Sequence, residues 1–123
     1  MPEGASILVV DDDESMLEFC TVFLTHEGHE VRAAGSGREA LLLLQDVPFD
    51  IVLTDHVTVD ATGTPILAAV REHQPDAEVI VMSGIPTLED ASKSYLAGAR
   101  EYLSKPFSVD RLRRALDLCR AEP

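Results

Sequence analysis

The chain has 123 residues, the size of one ordinary domain, and 46% of them are hydrophobic, enough for a single core. Its 22 acidic residues against 10 Lys and Arg give a formal charge of -12, which repels nucleic acid and anionic membranes and argues against direct DNA or RNA binding. Two cysteines, Cys20 and Cys119, are too few for a disulfide framework, and Met1-Pro2-Glu3-Gly4 is neither basic nor followed by a long apolar stretch. No apolar run approaches the roughly 20 residues of a membrane-spanning helix, so a soluble protein of the reducing cytoplasm is expected.

Short β-rich runs alternate with longer helical patterns along the chain. The first run, 7–10, is continuously apolar and is followed at once by Asp11, Asp12 and Asp13, then by a helical stretch that begins near Ser15 and ends at Gly28. The second run, 29–33, is mixed in character, and Ser36 with Glu39 three residues on resembles a capping box that opens the second helix. The third run, 51–54, is again apolar and ends on Asp55, after which Pro65, following Thr64, fits the first turn of a third helix.

The fourth run, 79–82, leads into Ser83, and the helix behind it starts at Thr87 with Asp90 and stops at Gly98. The fifth run, 101–103, precedes Lys105. Ser108 can cap a last helix whose apolar stripe is Val109, Leu112, Leu116 and Cys119. Continuously apolar runs suit central strands covered on both faces, and mixed runs suit sheet edges. The expected fold is α/β, a doubly wound five-stranded parallel sheet in the order 2-1-3-4-5 flanked by five helices, with one domain over 5–120 and a tail or start of a linker at 121–123.

Asp11, Asp12, Asp55, Ser83 and Lys105 each stand at or just after the C-terminal end of a run, the edge where open α/β sheets place their ligands. Taken alone, the aspartates after the first run also read as a helix N-terminus, where acidic side chains complement the dipole and one caps the helix. Asp55 changes the balance. Carboxylates about 4 Å apart repel by roughly 4 kcal/mol at an effective dielectric of 20, so such a group either binds a cation or raises one of its pKa values. Oxygen donors without His or Cys point to Mg²⁺ or a similar hard ion. An ammonium at Lys105 and a hydroxyl at Ser83 suit a phosphoryl group, although a salt bridge and a turn hydroxyl are their plainer roles.

Four fragments then carry a resemblance over nearly the whole chain: Ile-Leu-Val-Val-Asp-Asp at 7–12, Asp-Ile-Val-Leu-Thr-Asp at 50–55, Val-Met-Ser-Gly at 81–84 and Gly-Ala-Arg-Glu-Tyr-Leu-Ser-Lys-Pro-Phe at 98–107. In this order and spacing the chain resembles the response-regulator receiver domain, the phosphoacceptor module of two-component signalling, which has a flavodoxin-like fold. The resemblance implies that Asp55 takes a phosphoryl group from a histidine kinase or phosphotransfer protein. It implies that Asp11, Asp12, Asp55 and the Val57 backbone carbonyl hold Mg²⁺ and that Lys105 and Ser83 contact the phosphoryl. Tyr102 matches the switch aromatic, which turns inward as Ser83 moves toward the phosphate, and the Lys105-Pro106 peptide is expected to be cis. The implied partners are the kinase, a downstream effector or linked output domain, and a second copy met through the fourth helix, fifth strand and fifth helix. In this reading the chain is a signalling domain that assists its own Mg²⁺-dependent phosphorylation and dephosphorylation, not an enzyme of multiple turnover.

The sequence also departs from that family. After the acceptor, a Met-Pro pair and a later Asp-Gly are usual, whereas here the stretch is His56-Val57-Thr58-Val59-Asp60-Ala61-Thr62-Gly63. Loss of the proline frees backbone dihedrals, so a more mobile or differently shaped loop is expected. Val57 and Ile85, two residues beyond Asp55 and Ser83, flank the path of the hydrolytic water in the family, and apolar side chains there predict slow self-dephosphorylation. His56 reads as a loop or surface imidazole, and Cys20 and Cys119 as buried thiols. Two rivals stand beside the switch: a phosphorylation-independent pseudo-receiver that only binds partners, favoured by the altered loop, and a Mg²⁺-dependent phosphatase or mutase, disfavoured by the lack of a second catalytic acid and a cap.

Overall fold

The computed structural model describes residues 4–60 and 62–120, so the expected tail at 121–123 lies outside the described residues. Five strands and five helices alternate: β1 (Ser6–Val10), α1 (Glu14–His26), β2 (Glu30–Ala34), α2 (Gly37–Asp46), β3 (Ile51–Asp55), α3 (Ile66–His73), β4 (Glu78–Ser83), α4 (Leu88–Leu96), β5 (Glu101–Ser104) and α5 (Val109–Arg120). All strand pairs are parallel and the order is β2-β1-β3-β4-β5. The sequence order reverses direction across the sheet between β1 and β3, and ligands of open α/β sheets bind at that point.

Side-chain alternation splits the core into two layers. Leu8, Val10, Val52, Val79 and Val81 pack under α2 and α3 on one face, whereas Ile7, Val9, Leu53, Ile80 and Met82 pack under α1 and α5 on the other. Double coverage explains why the central strands are apolar on both faces through their middles, with polar residues only at their ends. The stripe of α5 is shifted from the expected one: Leu112, Ala115, Leu116 and Cys119 are buried, while Val109 is exposed at the first turn.

Helix starts follow local chemistry. Asp13 accepts from Ser15 N–H, Ser36 from Glu39 N–H, Thr87 from Asp90 N–H and Ser108 from Arg111 N–H, each satisfying a donor that the first turn leaves free. Glu39 reaches back to Gly35 N–H at 2.8 Å, completing a box-like cap. Pro65 differs from expectation. It stands at the N-cap of α3 with ψ 146°, one residue before the first turn: its carbonyl accepts from Ala69 N–H at 3.1 Å, while the residue also forms an isolated antiparallel bridge with Val59. Among the described residues no helix is long and apolar enough to cross a membrane.

Candidate functional site

Asp11 follows β1 directly and is fully buried, its backbone N–H donating to Ala34 of β2. Asp55 is the last residue of β3 and is 8% exposed. Asp12 is exposed beside them, and one carboxylate oxygen from each of the three lies within 4.8 Å of the others. The donors are hard oxygens with no His or Cys among them, which fits a divalent cation such as Mg²⁺ or Ca²⁺ and not zinc.

Lys105 arrives from the opposite side of the switch point. Its backbone N–H donates to Ser83 O at 2.7 Å, and the Lys105-Pro106 peptide is cis, as expected. The ammonium lies 2.8 Å from Asp11 Oδ2 and 3.6 Å from Asp55 Oδ1, and it is only 17% exposed. Ser83 is buried at the end of β4, its Oγ accepting from Ile85 N–H at 3.2 Å.

Electrostatics divide these roles. Burial pushes the Asp55 carboxyl above its ordinary value; the Lys105 ammonium and a hydrogen bond from Val57 oppose this, while Asp11 and Asp12 add to it. For Lys105, burial acts to lower the pKa, but the hydrogen bond and charge of Asp11, with those of Asp55, outweigh it and raise the value. The ammonium therefore stays charged, and the Asp55 carboxylate has a strong reason to gain a cation.

The sequence-derived residues thus converge: Asp11, Asp12, Asp55 and Lys105 meet, with Ser83 beside them at the same sheet edge. Tyr102 is buried in the layer under α2 and α3, 9% exposed, although β5 is an edge strand. Val57 and Ile85, two residues beyond Asp55 and Ser83, are 69% and 83% exposed. Cys20 and Cys119 are buried free thiols, each pushed up to about 12 chiefly by desolvation.

Two residues carry more than the sequence disclosed. Asp60 organises the β3–α3 loop: its Oδ1 accepts from Thr62 N–H at 2.8 Å, Thr62 Oγ1 at 2.7 Å and Thr64 N–H at 3.0 Å. The backbone closes the same turn through Asp60 N–H to Thr64 O and Gly63 N–H to Asp60 O, with Gly63 at φ +84°. The loop is built around this carboxylate. Asp-x-Thr-Gly-Thr is an Asx-turn signal that could have been read beforehand. The second is His56, which is not a simple solvated imidazole: its Nε2 lies 3.8 Å from Asp90 Oδ1, and its ring meets that of Tyr102 edge-on, centroids 6.3 Å apart at 80°.

Comparison with known proteins agrees with this geometry. The sequence model of the Response regulator receiver domain matches residues 7–117. The DNA-binding transcriptional regulator NtrC of Azospirillum brasilense is 38% identical over 109 residues, covering 89% of this chain and 23% of that protein. The chain spans about a quarter of the length of the curated relatives it matches. Among solved structures, the receiver domain of the Francisella response regulator 1452 superposes with TM-score 0.84 at 28% identity, covering 95% of this chain and 98% of that one. The beryllofluoride-activated NtrC4 receiver domain dimer superposes with TM-score 0.82 at 31% identity, covering 94% and 96%. An acidic trio at the switch point, a lysine bound to it and a family match over nearly every residue lead to one conclusion: this chain belongs to the response regulator receiver domains of two-component systems.

Proposed function

We propose that the chain accepts a phosphoryl group on Asp55 from a phosphohistidine of a histidine kinase or phosphotransfer protein, with Mg²⁺ held by Asp11, Asp12, Asp55 and the Val57 carbonyl. The observation that carries this reading is the Lys105 ammonium, 2.8 Å from Asp11 and 3.6 Å from Asp55, in a site of three carboxylates. Phosphoryl transfer asks little covalent chemistry of a protein; positioning and neutralisation of the equatorial oxygens decide its rate. The metal supplies charge to those oxygens when bound. Asp55 Oδ attacks phosphorus, the bond to the histidine nitrogen breaks, and the nitrogen leaves with the electron pair. Lys105 offers its ammonium to the transferred group, and Ser83, whose Oγ accepts from Ile85 N–H, donates its O–H.

The outcome is a switch. Phosphoryl contacts to Ser83 and Lys105 favour one arrangement of β4, β5 and α4 over another, and only such differential contacts can shift a two-state equilibrium. The surface of α4, β5 and α5 would meet an effector, a linked output domain or a second copy; Leu88 and Leu96 of α4 are 85% and 88% exposed and give it an apolar character. A cytoplasmic location belongs to this proposal.

Incubation with Mg²⁺ and acetyl phosphate or phosphoramidate, followed by intact mass measurement, tests the reading. One phosphoryl group is expected on the wild type and none on Asp55→Asn or after chelation. Mg²⁺ should also raise the melting temperature of the wild type by mass action, and less so that of Asp55→Asn. Wild-type protein that gains no mass would support the pseudo-receiver, and repeated turnover of an organic phosphate would support an enzyme.

A further inference from the structure

α1 carries two apolar faces, and the sheet covers only one of them. Cys20 and Leu24 are buried in the core, while Glu18, Phe19, Val22, Phe23 and His26 line an open groove of about 540 Å³ that Val109 of α5 also lines. Steps of three and four along a helix keep these five side chains on one face. Phe19 is 38% exposed and Val22 61%, and Phe107 extends the patch, its ring tilted against that of Phe19 with centroids 6.3 Å apart. A contiguous aromatic and aliphatic patch on a chain of formal charge -12 is the mark of an interaction surface.

The charges along this face select its occupant. Arg113 stacks over the Phe23 ring, 5.4 Å from its centroid, but is spent within the chain on Glu27 and Asp110, each at 2.9 Å. Two polar side chains remain on the face, Glu18 four residues before Val22 and His26 four residues after it, both exposed. Neither has an ion pair or a side-chain hydrogen bond among the described residues, although the charge of His26 acts on Glu27. The face is therefore acidic at one end, apolar in the middle and imidazole at the other. A two-fold axis through Val22, setting a second α1 antiparallel to the first, brings Glu18 opposite His26 of the second copy and His26 opposite its Glu18. A ring N–H donates to a carboxylate in either protonation state of the imidazole. The parallel arrangement would instead set Glu18 against Glu18, so the complementarity exists in one orientation only.

We propose that this face of α1 binds a second copy of the chain, antiparallel, with Phe19, Val22 and Phe23 of both copies forming the apolar centre and Glu18 and His26 fixing the register. A contact of one helix face per copy is small, and the association is weak and dependent on concentration. It draws on neither the acceptor nor the surface of α4, β5 and α5. The pairing is therefore independent of the phosphoacceptor reading and distinct from the second-copy contact that belongs to it.

Sedimentation velocity of the full chain without phosphoryl donor, from about 10 μM to about 1 mM, spans the range of such a contact. The weight-average mass of the wild type is expected to rise toward twice that of the monomer. Val22→Glu sets two carboxylates together on the axis and should weaken association about tenfold or more. Glu18→Lys and His26→Glu should each weaken it about threefold to tenfold, since two symmetry-related pairs lose their attraction, and the double variant should recover the wild-type association. Glu18→Lys also lowers the net negative charge, so general repulsion alone would strengthen association, the opposite sign. All three positions are exposed, and unchanged melting temperatures would show that the variants are folded. Val22→Cys under a mild thiol oxidant should give a covalent dimer, because Cys20 and Cys119 are buried. A wild type that stays monomeric throughout the range would overturn the proposal. So would association that Val22→Glu leaves unchanged and Leu96→Glu on α4 abolishes. Phosphoryl uptake has no part in these readouts, so its failure would count against the phosphoacceptor reading alone.

Discussion

Under the proposed function, Val57 is expected to set the timescale of the signal while contributing little to the fold. At 69% exposure it buries little area and stabilises little, yet it follows the proposed acceptor Asp55 by two residues, as Ile85, at 83% exposure, follows Ser83. Hydrolysis of an aspartyl phosphate needs a water aimed at phosphorus, and neither an isopropyl nor a sec-butyl group can accept its proton or fix its orientation. The phosphorylated protein is therefore expected to be long-lived. Val57→Asn introduces an amide that can hold the water and should shorten the phosphoryl half-life by about tenfold, below the 10²–10⁴ that a fully placed acid–base group supplies. A half-life equal to or longer than that of the wild type, followed by loss of phosphorylated mass after donor removal, would remove this role from Val57. Residue identity was legible here because the relevant chemistry is a matter of which atoms a side chain has. His56 was not, because its meaning depends on Asp90 and Tyr102, which lie 34 and 46 positions further on.

At the scale of elements, the strands, their order and most helix starts could be read in advance, since two-sided burial leaves an unbroken apolar run and each cap uses a hydroxyl or carboxylate at a fixed offset. The β3–α3 loop could not be derived from the family comparison, which highlighted a missing proline and obscured the carboxylate at Asp60. The approach of α2 to this loop was equally hidden: a Cβ at Gly37 would stand 1.6 Å from Val59 O, so only glycine permits the contact. At the far end of the sheet, Gln74 joins two elements in a way no local pattern announces. Its Oε1 accepts from Phe49 N–H at 2.8 Å, while Nε2 donates to Leu44 O at 2.8 Å and Val47 O at 2.6 Å, closing the C-terminus of α2 against that of α3. Gln74→Ala strands one donor and two acceptors in a partly buried place, for a loss of about 1–3 kcal/mol. Chemical denaturation should show this as a lower midpoint with an unchanged slope, and phosphoryl uptake at the opposite edge should be unaffected. A midpoint shift below about 0.5 kcal/mol would mean that water replaces the amide.

Across the whole molecule, an acidic chain of formal charge -12 is expected to gain compactness as carboxylates lose charge, yet one group works against this at the N-terminal edge of the sheet. His29 Nδ1 accepts from Ala5 N–H at 2.9 Å, which requires the neutral ring and ties the start of the chain to the turn before β2. Desolvation lowers its pKa below the ordinary 6.5, the charge of Arg120 adds to this and Glu27 opposes it. A depressed folded-state value means that the unfolded chain binds more protons, so the stability due to His29 is fully present above pH 6.5 and is lost as pH falls through the folded value. The Asp55 carboxyl has the reverse sign: raised in the folded state, it favours the fold at low pH and withdraws that support as pH rises through its folded value. The two shifts run toward each other, Asp55 upward from 3.8 and His29 downward from 6.5, so a variant that removes only the imidazole is needed to read its share. Denaturation midpoints measured from pH 8 down to pH 5.5 should therefore fall in the wild type and fall less in His29→Gln, whose side-chain oxygen accepts the same bond but takes no proton in this range. Parallel curves for the two proteins would show that the Ala5 bond survives protonation, and the neutral imidazole would then have no part in holding the first strand to its neighbour.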